Sequence, residues 1–135
     1  MRRRHHLPSR KTRVKKDCLP LTKETIKAAF DFLCTTPPVN SWNLDSDDFK
    51  FMVAKHPTVW GWHLAWGRGK NRARTIAVSS RMVGHTSTLM TTVAHEALHA
   101  HLDLTGQAKG GEHNAAFKRY AEEICRIHGF DRKCF

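Results

Sequence analysis

The segment VAHEALHAH constrains this chain more than any other part of its sequence. It places His95, Glu96 and His99 in the pattern H-E-x-x-H, of which only about 0.03 copies are expected by chance at this content of His and Glu. Two residues that are four apart lie one turn above each other on the same face of an α-helix. Apolar residues recur at helical spacing from Ser87 to about Leu104, so the sequence predicts a helix that holds both histidines beside a core.

The two histidines of this helix are placed to bind one metal ion. Their imidazole nitrogens can reach a single Zn²⁺ at about 2.0–2.1 Å. Glu96 lies next to His95 in the sequence and can contact a water molecule at that ion without becoming a ligand. Polar groups that are buried beside a core without hydrogen-bond partners destabilise the folded state. The pattern therefore indicates a zinc site.

A catalytic zinc usually has three protein ligands and one open position, so a third ligand is needed. A glutamate on a later helix could supply it, and Glu122 and Glu123 are candidates. His113 fits better, because it shares the buried face of a final helix that is predicted over residues 112–127. A loop that contains glycine precedes this helix and lets it fold back towards the H-E-x-x-H helix.

The remaining pattern predicts a small α+β domain over residues 19–135. A first helix should begin after Thr22, a good N-cap, and end before the two prolines at 37–38. A second, shorter helix should begin near Asp45, with Phe49, Met52 and Val53 on its buried side. A short antiparallel β-hairpin, the H-E-x-x-H helix and the C-terminal helix that carries the third zinc ligand complete the domain.

The first strand of the predicted hairpin has one aromatic face. Trp60, Trp62, Leu64 and Trp66 alternate with small or polar residues. A domain of this size needs its large apolar residues inside. We therefore expect this stripe to belong to the core rather than to form a platform on which nucleic-acid bases stack.

The N-terminal segment carries most of the chain's positive charge. The formal net charge is +11, and residues 1–18 hold eight Lys or Arg against one Asp. A segment with so little apolar content is expected to be disordered alone and to suit a polyanion, above all DNA. A solubilising or cloning-derived extension is the alternative. The basic residues singled out as DNA contacts are Arg2, Arg3, Arg4, Arg10, Lys11 and Arg13.

The turn of the predicted hairpin is the second basic segment. Arg68, Lys70, Arg72 and Arg74 crowd this short loop and its flanks. They could contact the phosphates of DNA, or they could belong to an ordinary solvated loop. The basic tail on the same chain supports the interpretation as phosphate contacts.

Two classes of protein are disfavoured by what the sequence lacks. No apolar run approaches the roughly 18 residues that a membrane span requires, and the basic N-terminus lacks the apolar region of a signal peptide. We expect a cytoplasmic protein with no membrane partner, in the host cytoplasm if the source is viral. The four cysteines are scattered without a C-x-x-C pair, which argues against both a disulfide framework and a zinc ribbon.

The segments TVAHEALH at 92–99 and EHNAAFKRY at 112–120 resemble the SprT-like zinc metallopeptidases, which include the Spartan DNA–protein crosslink proteases. The resemblance covers roughly residues 20–130 and is specific in the two zinc helices. It implies a zincin-like domain with one Zn²⁺ on His95, His99 and His113, and with Glu96 as the general base. It also implies DNA-associated proteins as substrates. Asn114 stands where the family usually has glycine, and the family's C-terminal cysteine ribbon is missing.

Other assignments remain open at this point. Tyr120 is the only tyrosine and could stabilise an oxyanion, although a core role is favoured. A nucleic-acid-binding protein with a structural or inactive zinc site is the rival function. A peptidase that acts at another anionic surface, such as a cell wall, is a third. Glu96 distinguishes the first two, because a hydrolase needs a carboxylate there and a structural site does not.

Overall fold

The computed structural model describes residues 19–67 and 72–135. Within them the chain forms a small α+β domain of three α-helices and one three-stranded mixed sheet. The N-terminal segment 1–18, predicted to be a disordered DNA-binding tail, lies outside the described residues. The elements are α1 (Lys23–Leu33), β1 (Phe49–Ala54), β2 (Gly61–Trp66), β3 (Ala73–Ser79), α2 (Thr86–Leu104) and α3 (Ala115–His128), with 3-10 turns at Val39–Ser41, Ser46–Asp48 and Arg132–Cys134.

The sheet has the strand order β1-β3-β2. Strands β2 and β3 pair antiparallel, so the predicted hairpin is confirmed. Strand β1, which was not predicted, pairs parallel with β3, so the sheet is mixed rather than antiparallel alone. The central position of β3 agrees with its composition, because every residue from Arg74 to Ser79 is buried.

The second predicted helix is a strand. Only the 3-10 turn Ser46–Asp48 forms where that helix was expected to begin, and the side chain of Asp45 caps it. The residues expected on the buried side of the helix belong to β1, in which Phe51 is buried and Met52 is exposed. A short apolar run fits the residue spacing of a helix as well as that of a strand. Here the long-range pairing with β3 stabilises the strand.

A single layer of helices packs on one face of the sheet. The register places Phe51 of β1 beside Ile76 of β3, and both side chains belong to the core. Phe30 of α1 packs against Phe51 with ring centroids 5.4 Å apart. Val93 of α2 is fully buried in the same cluster. The core thus lies between the sheet and the α1–α2 layer.

The predicted core stripe belongs to the core only in part, since Trp60 packs against it and the end of β2 is exposed. Leu64 is 53% exposed and Trp66 is 51% exposed, while Trp60 and Trp62 are half-buried. The opposite face of β2 meets α2, and it carries Gly61 and small or polar residues rather than tryptophans. The prediction that the whole stripe belongs to the core is therefore wrong, because the helix needs the small face of this strand.

Helix α2 is the longest described element, with 19 residues. It is buried along most of its length, and Leu89, Val93 and Leu98 enter the core. Among the described residues, no helix combines the length and the apolar character that crossing a bilayer requires.

The close approach of β2 to α2 depends on Gly61. A Cβ atom at this position would lie 2.7 Å from the carbonyl oxygen of Ala77 and 2.8 Å from Cγ2 of Thr92. It would also lie 3.6 Å from Cγ of Glu96. Both short distances are below ordinary van der Waals contact, so a side chain would force the strand and the helix apart.

We predict that Gly61→Ala lowers the free energy of unfolding by about 1–3 kcal/mol, the usual effect of overpacking. It should also weaken metal binding, because the displaced helix carries His95. Urea unfolding and a zinc-affinity titration would measure the two effects. Lys50→Ala, at an exposed position of β1, is the control and should change neither quantity by more than about 0.5 kcal/mol. Equal behaviour of the two variants would contradict the prediction.

Candidate metal centre

Three imidazole rings converge at one end of a cleft. Nε2 of His95 lies 3.1 Å from Nε2 of His99 and 3.3 Å from Nε2 of His113. The ligand atoms of the three residues all lie within 4.8 Å of one another. The structure therefore brings together all three predicted metal ligands, although they are separated by 18 positions in the sequence.

These distances fit a shared metal ion. Nitrogens at the corners of a tetrahedron around Zn²⁺, each at about 2.0–2.1 Å, lie about 3.3–3.4 Å from one another. The observed separations of 3.1 and 3.3 Å are close to that value. Three converging ring nitrogens are poorly satisfied by one another, because a neutral imidazole has only one N–H. The described residues can thus hold a metal ion, and the donor set suits zinc among other metals that imidazole binds.

His113 is positioned by its neighbour Asn114. The side-chain oxygen of Asn114 accepts a hydrogen bond from the backbone N–H of Phe117 at 2.9 Å and so caps α3. Its Nδ2 donates to the carbonyl oxygens of Gln107 and Lys109 at 2.8 and 2.9 Å. One amide therefore ties the loop between α2 and α3 to the start of α3.

The start of α3 differs from its prediction. The helix begins at Ala115, so His113 lies in the loop before it rather than in its first turn. The reason is the cap, because the extended backbone of Asn114 ends the loop one residue after His113. Phe117, in the first turn of α3, then supports the ligands, with ring centroids 4.7 Å from His99 and 4.5 Å from His113.

Burial keeps the two helix ligands neutral. It lowers the pKa of His95 to about 3, and the neighbouring His99 and His113 lower it further. Burial likewise lowers the pKa of His99 to about 4, with a contribution from His113. Both rings are therefore unprotonated at neutral pH, which is the form that binds a metal.

Glu96 lies in the wall of the same cleft and is only 5% exposed. Burial raises the pKa of its carboxyl to about 8, and the negative charge of Glu112 adds to the effect. A carboxyl with a pKa near neutrality suits a group that accepts and returns a proton. A cation held by the three histidines would lower this pKa and favour the ionised form.

The cleft has a volume of about 920 Å³ and is open to solvent. One wall is α2 with the metal ligands, and another is β2, whose Gly61 and His63 face the helix. The C-terminal residues Lys133 and Phe135 close one side, and the Phe135 ring lies 5.3 Å from that of His95. Neither β2 nor the C-terminal residues were predicted from the sequence to lie beside the metal ligands.

His63 is a cleft residue that alternation could have revealed. It lies between Trp62 and Leu64 in the strand and must therefore point to the opposite, helix-facing side of β2. Its Nε2 is buried without a hydrogen-bond partner among the described residues. Burial, followed by the charge of Arg74, lowers its pKa to about 4, so the ring is neutral.

The predicted DNA contacts in the hairpin divide into three groups. Arg74 is 8% exposed and is paired with Asp103 of α2, so its assignment as a phosphate contact is wrong. Arg72 also pairs with Asp103, at 3.3 Å, but is 40% exposed and lines the cleft. Arg68 and Lys70 lie outside the described residues, as do all the predicted contacts of the N-terminal segment.

The pair of arginines has a structural role at the end of α2. Burial alone would raise the pKa of Asp103, but the hydrogen bond and charge of Arg74, together with the charge of Arg72, lower it overall. Asp103 lies one turn after His99, so this contact fixes the end of the metal helix against β3.

Tyr120 does not contribute to the cleft. Its ring packs against Trp42 at 5.8 Å and against His101 at 5.2 Å. The cleft is lined by other residues. Tyr120 thus has the favoured role of a packing aromatic, and its assignment as an oxyanion stabiliser is wrong. His101 is buried and stacks on Trp42 at 4.2 Å, away from the metal ligands.

Comparison of the sequence with protein-family models and with curated proteins finds no match to either. The functional interpretation therefore depends on the geometry of the site and on the motifs themselves.

We predict that Asn114→Ala weakens zinc binding by about 10–100-fold, the usual effect of losing a residue that orients a ligand. The loop that carries His113 would lose the hydrogen bonds that hold it in place, whereas His95 and His99 would remain one turn apart on α2. A competition titration with a chromophoric chelator would measure the affinity. Asn114→Asp keeps the helix cap and loses the two amide donors, so it should show most of the loss. Wild-type affinity in both variants would rule out this role of Asn114.

Glu96→Gln should stabilise the metal-free chain at pH 8. The folded-state pKa of about 8 lies above the ordinary value of 4.5, so the folded state holds this proton more tightly than the unfolded chain. The resulting stability is complete below pH 4.5 and is lost as the pH rises to about 8. Since one pKa unit corresponds to about 1.36 kcal/mol, we expect roughly 2–4 kcal/mol in favour of the variant.

Urea unfolding in the presence of a chelator at pH 5 and pH 8 would measure this difference. The advantage of Glu96→Gln should be small at pH 5 and large at pH 8. Glu24→Gln is the control, because Glu24 is exposed in the first turn of α1 and should show the same small difference at both pH values. A pH-independent difference for Glu96→Gln would mean that its carboxyl is not buried as described.

Proposed function

We propose that this protein is a zinc-dependent metallopeptidase of the SprT-like type, which hydrolyses peptide bonds in DNA-associated proteins. The observation that carries the proposal is the convergence of Nε2 of His95, His99 and His113 beside the buried carboxyl of Glu96 in an open cleft. The helix α2 under a sheet and the third ligand before α3 form the arrangement that we interpret as zincin-like.

The ligand set favours a hydrolase over a structural zinc site. Structural zinc usually has four protein ligands, often cysteines, whereas catalytic zinc has three and an open position. Among the described residues, the metal-binding group consists of three histidines. The cleft extends from these ligands and leaves room for a substrate. A carboxyl adjacent to the first ligand is useful only if a proton has to be moved there.

Each described residue then has a defined task. Zinc, when bound, would polarise the scissile carbonyl and acidify a water molecule. Glu96 accepts the proton of the attacking water and later donates one to the leaving amine. The ring of Phe117 packs against the rings of His99 and His113 and holds them in place. The arginine pairs with Asp103 hold the end of α2 in place while the substrate is bound.

A peptide suits this cleft because β2 is an edge strand. Within residues 19–67 and 72–135, strand β2 pairs with β3 alone, and residues of β2 line the cleft. The free backbone edge of a strand can pair with an extended peptide through main-chain hydrogen bonds. Such a peptide would pass over the metal ligands of α2, because both elements face the same cleft.

The charge of the chain supports DNA-associated proteins as substrates. The net charge of +11 favours association with a polyanion, and residues 1–18 carry most of it. A peptidase held on DNA would meet proteins bound to the same strand at a high local concentration.

Glu96→Gln should retain one zinc per chain and lose peptide cleavage by about 10²–10⁴-fold, the range of general acid–base catalysis. Elemental analysis would give the zinc content, and cleavage of a basic DNA-binding protein with and without DNA would give the activity. The matched control is Glu24→Gln, which alters an exposed carboxyl of α1 outside the cleft and should keep the activity.

Two results would contradict the proposal. Zinc in both variants and the parent, with no cleavage under any condition, would favour the rival function, a nucleic-acid-binding protein whose zinc site is structural or inactive. Equal cleavage by the parent and by Glu96→Gln would show that another group moves the proton.

A further inference from the structure

One polar side chain of the cleft has no task in the proposed hydrolysis. His63 of β2 lines the cleft, and its Nε2 is buried without a hydrogen-bond partner among the described residues. A histidine that only stabilises a fold is normally hydrogen-bonded through those ring nitrogens that are buried. An unpartnered ring in the wall of a candidate active site is therefore available to a group of the substrate.

The two ends of β2 lie against different parts of α2. At the beginning of the strand, a Cβ atom on Gly61 would lie 3.6 Å from Cγ of Glu96. Near the end of the strand, Ala65 pairs with Arg74, whose side chain is bound to Asp103. The strand and the helix therefore run in the same direction along the cleft.

This arrangement places His63 at the level of His99. His63 shares the helix-facing side of β2 with Gly61 and lies two residues, or about 6.6 Å, further along the strand. On α2, His99 lies three residues after Glu96, or about 4.5 Å along the helix axis. Burial is the largest cause of the low pKa of His63, and the charge of His99 is a smaller one, which agrees with this placement. The Glu96 carboxyl and the His63 ring thus face the cleft at successive levels beside the metal ligands.

Four other donors of the cleft are less suitable for binding a negative charge that develops there. The hydroxyls of Thr91 and Thr92 already donate to carbonyl oxygens one turn earlier on α2. Arg72 is paired with Asp103. Lys133 is exposed, and a solvated ammonium gains less from a new negative charge than a desolvated donor does. Of these donors, the ring on β2 is the one that is both desolvated and unpaired.

We propose that His63 is a catalytic residue, which donates a hydrogen bond to the oxyanion that forms on the scissile carbonyl; this inference rests on the proposed peptidase function. An imidazole carries at least one N–H in either protonation state. The buried Nε2 has no hydrogen bond that would have to be broken, and a half-turn about χ2 exchanges the nitrogen and carbon positions of the ring. Either ring nitrogen can therefore be turned towards the substrate.

The proton of His63 stays on its ring throughout the reaction. When water attacks, its oxygen forms a bond to the carbonyl carbon, and the π electron pair of the carbonyl moves to the carbonyl oxygen. Glu96 takes one proton from that water. On collapse, the oxyanion re-forms the carbonyl, the C–N bond breaks with its electron pair on nitrogen, and Glu96 gives its proton to the leaving amine. A donor at this oxygen stabilises the transition state more than the substrate.

His63→Phe removes the donor and keeps an aromatic ring. It should lower kcat by about 10²–10³-fold, the usual loss for one oxyanion donor, and leave KM nearly unchanged. His63→Gln restores an N–H donor and should recover at least about tenfold of that loss. Leu64→Ala is the matched control, because Leu64 is the next residue of β2, is 53% exposed and points to the opposite face. Every variant should bind one zinc with the affinity of the parent.

Binding of a phosphinic peptide tests the same hydrogen bond without catalysis. Its tetrahedral phosphorus carries an anionic oxygen where the oxyanion would form, whereas an uncleaved substrate peptide has a planar carbonyl there. The zinc form of His63→Phe should bind the phosphinic peptide about 10²–10³-fold more weakly than the parent, the same factor as in kcat. In the Glu96→Gln background, the same substitution should change the affinity for the substrate peptide by less than about threefold. Isothermal titration calorimetry would measure both affinities.

Equal affinity of the parent and His63→Phe for the phosphinic peptide would overturn the inference, and so would the absence of binding by the parent. A loss of zinc affinity in His63→Phe, or no recovery of activity in His63→Gln, would show that the ring positions the metal ligands instead. The proposed function fails by a separate result, a zinc-loaded parent that cleaves no peptide. In that case the phosphinic peptide still shows whether His63 contacts an anion at the metal centre.

Discussion

The close packing of β2 against α2 is the contact on which the rest of the structure depends. Gly61 allows the strand to lie near Thr92 and Glu96, and a larger residue there would meet backbone. This contact buries the H-E-x-x-H face of α2, which keeps His95 and His99 neutral and raises the pKa of Glu96. It also turns Gly61 and His63 of β2 towards α2, whereas Leu64 and Trp66 on the opposite face of the strand are exposed. The metal centre and the exposure of Leu64 and Trp66 both follow from this contact.

Buried polar groups that lack hydrogen-bond partners destabilise the folded state. In this domain such groups are concentrated at the cleft. The converging nitrogens of the three histidines, the buried carboxyl of Glu96 and the orphan Nε2 of His63 lie together there. Such groups destabilise a metal-free fold and are relieved when a cation is bound, so folding and metal binding are expected to be coupled. The ion pair of Arg74 with Asp103 holds the far end of α2 against β3. This rigid connection limits how far the site can relax.

The metal ligands could be predicted from the sequence because their signals are local. The spacing of His95 and His99 needs only one helix, and His113 is followed by an amphipathic segment whose apolar face includes Phe117. The strand β1 could not be predicted, because its apolar run fits two periods and its partner lies 25 residues away, as in Phe49 with Arg74. The exposure of Trp66 was missed because its alternation shows that a strand has two faces but not which one a helix will cover. Arg74 was misassigned because Asp103, with which it pairs, is distant in the sequence. Tyr120 has the packing role that the sequence favoured.

The central claim is that three histidine nitrogens hold one zinc ion in this cleft. X-ray absorption at the zinc edge of the protein, after one equivalent of zinc has been added, tests it most directly. We expect nitrogen ligands at about 2.0–2.1 Å, three of them imidazoles, with a remaining oxygen ligand and no sulfur. The His113→Ala variant should lose one imidazole from this shell. A shell with sulfur, a fourth imidazole, or no change in His113→Ala would contradict the account.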